Sequence, residues 1–163
     1  MATKESNKKQ YASGLKSMLD GLTAILRKYS LNLILLIGLF GVLTSLYFSE
    51  AMDLPPCDLC WYQRILFYPI PVIAFVALIL KDHKAHYYIF VLSLLGLPIS
   101  IYQHLLKVTN IFQKDTPFCG TNGACSSLDW ELWAGSGITI PFLCAIAFTG
   151  IIFLTGIQLF RKK

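Results

Sequence analysis

The sequence predicts an all-α integral membrane protein: a four-transmembrane-helix bundle with two extracytoplasmic loops and a short interfacial helix. Three observations lead there. Hydrophobic residues make up 55% of the 163-residue chain and charged residues 14%, against about a quarter charged in soluble domains. The mean hydropathy is +0.59. The apolar residues are gathered into runs near the roughly 20 residues that cross a bilayer, and the basic residues are segregated between them. A soluble protein of this size could hardly bury four such helices behind so few charges.

The first run, Tyr29 to Ser49, has no charged residue. It is longer than the ~7–15 residues of a signal-peptide core, and no small-residue cleavage site follows it. The second, Leu59 to Leu80, contains one charge, Arg64. The third, Ala85 to Leu106, has only histidines near its ends, and the fourth, Leu132 to Phe160, has an apolar core from about Ile138. Ahead of the first run, Leu15, Met18, Leu19, Leu22, Ile25 and Leu26 recur at helical spacing among basic residues. Residues 1–30 therefore read as a basic amphipathic segment on the inner membrane surface. Residues 31–160 form the membrane domain, and 161–163 a basic tail.

Orientation follows from charge. Of 14 Lys and Arg, six precede the first span, two lie between the second and third spans, and three close the chain. The loop from Glu50 to Asp58 has three acids and no Lys or Arg. Basic residues mark the cytoplasmic side of short loops, so both termini are expected inside and the first and third loops outside. The net charge of +5 is that asymmetry; nothing in the chain points to a nucleic-acid partner.

Four of the five cysteines fall in the outer loops: Cys57 and Cys60 in the first, Cys119 and Cys125 in the third. An oxidising exterior permits one disulfide in each. Cys57-Asp58-Leu59-Cys60 follows Pro55-Pro56 and directly precedes the second span, which places it at a helix N-terminus. Backbone N–H groups and the helix dipole favour a thiolate there. Arg64 stands four residues beyond Cys60 and shares its helix face; a charge this far into a span is costly and usually functional, snorkelling to headgroups being the plain alternative. Cys119 and Cys125 enclose a Gly- and Asn-Gly-containing turn, read as a redox pair rather than a static staple because of its neighbour on the same face. Zinc coordination fits less well, since the second pair exceeds the usual spacing. Leu128 to Trp133, with two tryptophans, suits a short interfacial helix at the membrane–water boundary. Cys144, among Ile, Phe, Leu and Ala, reads as a small apolar side chain in the fourth span.

Cys57-Asp58-Leu59-Cys60-Trp61-Tyr62-Gln63-Arg64-Ile65 resembles the C-x-x-C-x-x-x-R segment of the DsbB family, and is most similar to its shorter, BdbC-type branch of disulfide formation proteins. The resemblance covers roughly Leu31 to Phe160. It implies a four-helix enzyme of the bacterial cytoplasmic (inner) membrane. Such an enzyme reoxidises an extracytoplasmic thioredoxin-like thiol oxidase and delivers the electrons to a quinone, ubiquinone or menaquinone. On that basis Cys60 would face the quinone as the thiolate, and Arg64 would contact the quinone oxygen. Cys119 would exchange with the partner's cysteine and Cys125 with Cys57. Tyr102-Gln103-His104 resembles a segment at the outer end of the third helix, which makes His104 a candidate quinone neighbour. The second pair has five intervening residues, fewer than in the longer branch. A vitamin-K-epoxide-reductase-like oxidoreductase carries its two pairs in the reverse order, and a non-enzymatic four-span scaffold needs neither the C-x-x-C nor the arginine.

Overall fold

A computed structural model describes residues 2–51, 57–82, 84–109 and 139–160. Five α-helices occupy these residues: α1 (Ala2–Leu46), α2 (Asp58–Phe67), α3 (Pro69–Leu80), α4 (Ala85–Thr109) and α5 (Ile140–Phe160), with a π-helical turn over Tyr47–Ala51 after α1. They supply four helices long and apolar enough to span a membrane: 21–51, Asp58–Leu80, Ala85–Leu106 and Ile140–Leu159. Leu132 to Ile138, the start expected for the fourth span, lies outside the described residues, as do the interfacial stretch Leu128 to Trp133, Cys119 and Cys125.

Two element boundaries differ from the sequence expectation. The basic N-terminal segment is helical, but α1 runs through it into the first span without a break at residue 30. No proline occurs before Pro55, so every residue of α1 keeps its backbone donor. The second span, read as one helix, is two. Tyr68 separates α2 from α3, because Pro69 and Pro71 have no N–H to offer the preceding turn. Tyr68 itself keeps helical angles, φ −62° and ψ −35°, and donates its N–H to the Arg64 carbonyl at 2.8 Å. The interruption therefore leaves α2 and α3 together as one span.

The bundle is held by Ile34 of α1, Phe67 of α2, Ile70 and Ala74 of α3, Ile89 of α4, and Phe148, Ile151 and Leu154 of α5. Phe67 and Phe148 meet edge to face, with centroids 5.3 Å apart, a favoured aromatic geometry. Phe148 lies so close to α4 that a Cβ on Gly96 would collide with its ring, and α1 approaches Phe67 just as closely at Gly41. In a bilayer, where lipid is as apolar as the core, such close van der Waals approach drives helix association. The outward faces carry Phe40, Leu43, Ile79 and Leu80, each more than 60% exposed. That would be untenable in water and is the expected surface against acyl chains.

At the basic connection between α3 and α4, Lys81 adopts the left-handed conformation at φ 53° and closes α3, donating its N–H to the Ala77 carbonyl. Asp82 accepts the Lys84 N–H at 2.8 Å. A span thus reverses direction within a few residues, which sets α4 antiparallel to α3.

Candidate functional site

Cys57 is the N-cap of α2, with extended backbone angles of φ −73° and ψ 168°. Its carbonyl accepts the Trp61 N–H at 3.1 Å and starts the helix. One turn of helix brings Cys60 back over it, and the two sulfurs lie 2.9 Å apart as free thiols. Cys57 is buried and Cys60 half-buried. The Cys60 sulfur beside it, reinforced by burial, holds the Cys57 thiol well above the ordinary thiol range. A proton shared by the pair therefore rests on Cys57.

A third group completes this arrangement from another helix. The Gln103 side-chain amide, on α4, donates to Cys57 Sγ at 3.2 Å and to Cys60 Sγ at 3.1 Å. Its oxygen in turn accepts from Gln63 Nε2, on α2, at 2.6 Å. Both glutamines are 7% exposed. Gln63 is one turn after Cys60, so the C-x-x-C and Gln63 share the α2 face that packs on α4. Neither glutamine leaves a fully buried side-chain atom without a hydrogen-bond partner. Two N–H donors aimed at a sulfur pair stabilise whichever sulfur holds negative charge.

Arg64 lies on the same short helix and within electrostatic reach of Cys60, but its head is turned toward α1. Its Nη2 donates to the Ser45 carbonyl at 3.2 Å and to the Ser49 hydroxyl. Its guanidinium sits 5.5 Å from the centre of the Trp61 ring, within cation–π range. The Tyr68 hydroxyl donates to Ser45 Oγ at 3.2 Å. The π-helical turn over Tyr47–Ala51 widens the end of α1 where Ser49 meets the guanidinium; such turns are rare and often occur at functional sites.

His104 shares this end of the bundle but points to α5. Its Nδ1 pairs with Thr139 Oγ1 at 2.9 Å, and its ring lies 5.0 Å from that of Phe142. The structure thus brings Cys57, Cys60 and Arg64 onto one helix end and leaves His104 beside it, engaged with a different partner. Cys144 packs at the edge of the apolar core.

Reading the sequence missed Gln103, Gln63, Ser45 and Ser49 as members of this cluster. The signal for the glutamines was present: an uncharged amide within an apolar span needs an internal partner, and each span near the C-x-x-C contains one. The serines gave no such signal, because a serine on a membrane helix can bond its own backbone four residues back, as Ser49 does to Ser45 at 3.2 Å.

A four-span helical bundle with a paired thiol at the start of its second span defines a multi-pass membrane protein built for sulfur redox chemistry. The family model described as disulfide bond formation protein DsbB matches residues 27–158, and the chain belongs to that family. It is 38% identical over 133 residues to the SPβ prophage-derived disulfide bond formation protein B of Bacillus subtilis, covering 80% of this chain and 85% of that one. It is 36% identical over 137 residues to a probable disulfide formation protein C 2 of Bacillus cereus, covering 84% and 96%. A probable disulfide formation protein of Coxiella burnetii is 37% identical over 123 residues, covering 76% and 82%. No solved structure gives a significant match. The chain is thus a DsbB-family disulfide formation membrane protein.

Proposed function

We propose that the protein reoxidises an extracytoplasmic thioredoxin-like thiol oxidase and passes the electrons to a membrane quinone. It would do so in the bacterial cytoplasmic membrane, with both termini inside. The observation that carries this reading is the pair of sulfurs 2.9 Å apart at a helix start, met by the Gln103 amide and flanked by Arg64.

The residues around Arg64 fit a quinone. A quinone is apolar with carbonyl oxygens as its polar points. Here the Arg64 guanidinium lies 5.5 Å from the centre of the Trp61 ring, and Trp61, Tyr62 and Ile65 of the same helix are about half exposed or more. Arg64 would hold a carbonyl oxygen; bound there, the quinone supplies a two-electron, two-proton acceptor. His104 lies farther round the same end and is assigned a lesser share.

In the proposed sequence a partner thiolate attacks the Cys119–Cys125 disulfide and forms a mixed disulfide, and the partner's second thiol resolves it. The partner leaves with a disulfide, and Cys119 and Cys125 become thiols. Cys125 then exchanges with a Cys57–Cys60 disulfide, regenerating the loop disulfide and leaving Cys57 and Cys60 reduced. Two electrons and two protons have now moved to the helix-end pair. For reoxidation Cys60 would release its proton and take the charge, stabilised by the Gln103 N–H and the α2 N-terminus, while Cys57 keeps its proton until the Cys57–Cys60 disulfide re-forms; the two electrons would then go to the quinone, which takes up two protons to become the quinol. Arg64 places positive charge where electron transfer from Cys60 develops negative charge. Rates depend on thiolate fraction and nucleophilicity at each exchange.

Anaerobic stopped-flow absorbance of the quinone, with a reduced dithiol partner and the full-length protein, tests the reaction. One quinone should be reduced for every two partner thiols lost. Quinone that stays oxidised while the partner's thiols are consumed would remove it as the acceptor.

A further inference from the structure

At the end of the bundle opposite the sulfurs, helices α1, α3, α4 and α5 part around an open cavity of about 540 Å³. Its rim is cationic: Arg27 and Lys28 of α1 both line it. Its floor is polar and ordered. Gln158 Nε2 donates to the Arg27 carbonyl at 2.6 Å and to Ser30 Oγ at 2.8 Å, and Ser30 Oγ lies 3.2 Å from Nε2 of the buried His86. Gln158 Oε1 accepts from Arg27 Nε at 3.3 Å, which fixes the guanidinium at the mouth. Among the described residues, no Asp or Glu lines the cavity. The first turn of α4, a 25-residue helix beginning at Ala85, borders it through His86 and Tyr87 and adds the positive end of a helix dipole. The remaining wall, formed by Leu31, Leu78 and Leu159, is apolar.

From this we infer that the cavity binds a phosphate-bearing anion, the headgroup of an anionic phospholipid. Two cations, an oriented helix N-terminus and a wall without carboxylates select the phosphate; the leucines below accept the start of an acyl chain. Charge asymmetry along the sequence puts this end on the cytoplasmic side, and basic pockets between helices at that depth hold anionic headgroups. The site is remote from the sulfur pair, so the inference stands apart from the proposed electron route.

The test uses the full-length protein released from mixed nanodiscs containing equal phosphatidylglycerol and phosphatidylcholine, with retained lipid counted by native mass spectrometry. One phosphatidylglycerol should be kept in preference to phosphatidylcholine. Replacing both cations, R27Q with K28Q, should cut that preference by roughly 30-fold, since each surface cation contributes on the order of fivefold. A parallel melting experiment in uncharged detergent adds inorganic phosphate or phosphatidylglycerol. Stabilisation by phosphatidylglycerol alone assigns the lipid. Stabilisation by inorganic phosphate as well, lost in the double variant, keeps the phosphate site but makes its ligand soluble phosphate. Equal retention of the two lipids by the wild type overturns the inference even if the double variant fails to fold. So does a preference that survives in a folded double variant.

Discussion

Replacing Gln103 with leucine separates its chemical part from its structural part. The amide makes three hydrogen bonds: two from its nitrogen to the sulfurs, at 3.2 and 3.1 Å, and one accepted from Gln63 at 2.6 Å. Leucine has nearly the same volume and makes none of them. Losing a donor to a charged group costs roughly 1.5–3 kcal/mol. If that stabilisation develops as Cys60 takes charge, quinone reduction should slow by about 10- to 100-fold. Leaving the buried Gln63 amide without an acceptor should also cost about 1–3 kcal/mol of fold stability. The double variant, Gln63→Leu with Gln103→Leu, removes both ends of that bond, and such paired replacement is nearly neutral. Stability should therefore return in the double variant while turnover does not. Single-turnover stopped-flow gives the rate, and unfolding in mixed detergent micelles gives the stability. Turnover in Gln103→Leu within twofold of wild type, or turnover restored along with stability in the double variant, would refute a chemical role for the amide.

Cys57→Ser or Cys60→Ser should abolish quinone reduction, whereas Cys119→Ser should block entry of electrons from the partner and leave the helix-end pair able to oxidise; thiol counting by mass spectrometry separates the two. Arg64→Ala should raise the apparent KM for quinone by about 10-fold or more, and Arg64→Lys by less, because an ammonium keeps the charge but loses the planar guanidinium beside the Trp61 ring; an unchanged KM removes Arg64 from the quinone site. The raised Cys57 thiol is protonated near neutrality, so its thiolate fraction and its alkylation rate should climb roughly tenfold per pH unit from pH 7 to 9; labelling already fast and flat across that range contradicts the proton placement. Phe148→Ala should destabilise the bundle by about 2 kcal/mol, less than the ~3–5 of soluble cores because lipid lessens the transfer contribution, as read by detergent unfolding. Cys144→Ala should leave turnover within twofold of wild type in the same quinone assay.

Much of the site's local part was legible along the chain. Cys57, Cys60, Gln63 and Arg64 lie within eight residues, and helical periodicity alone stacks them at one end of a span. The prolines that part α2 from α3 were equally visible, yet the break went unread because the run of apolar residues is continuous across Tyr68. Hydropathy reports transfer into lipid and is blind to a missing backbone donor. Joining the basic segment to the first span as one helix was likewise open to the sequence, since nothing in it interrupts the backbone ladder.

Span number, the sidedness implied by basic loops and the position of the reactive pair at a helix start are properties of order along the chain, set by transfer free energies, charge and backbone period. They needed no neighbour to define them. The approach of Gln103 to Cys57 across 46 residues, the turn of Arg64 toward Ser45 and Ser49, and the gathering of Arg27, His86 and Gln158 around one cavity belong to the packed bundle. Each depends on which face of one helix meets which face of another. That is decided by the fit of small residues such as Gly41 and Gly96 against aromatic rings, and in a membrane, where apolarity is everywhere, shape rather than hydrophobicity makes the choice.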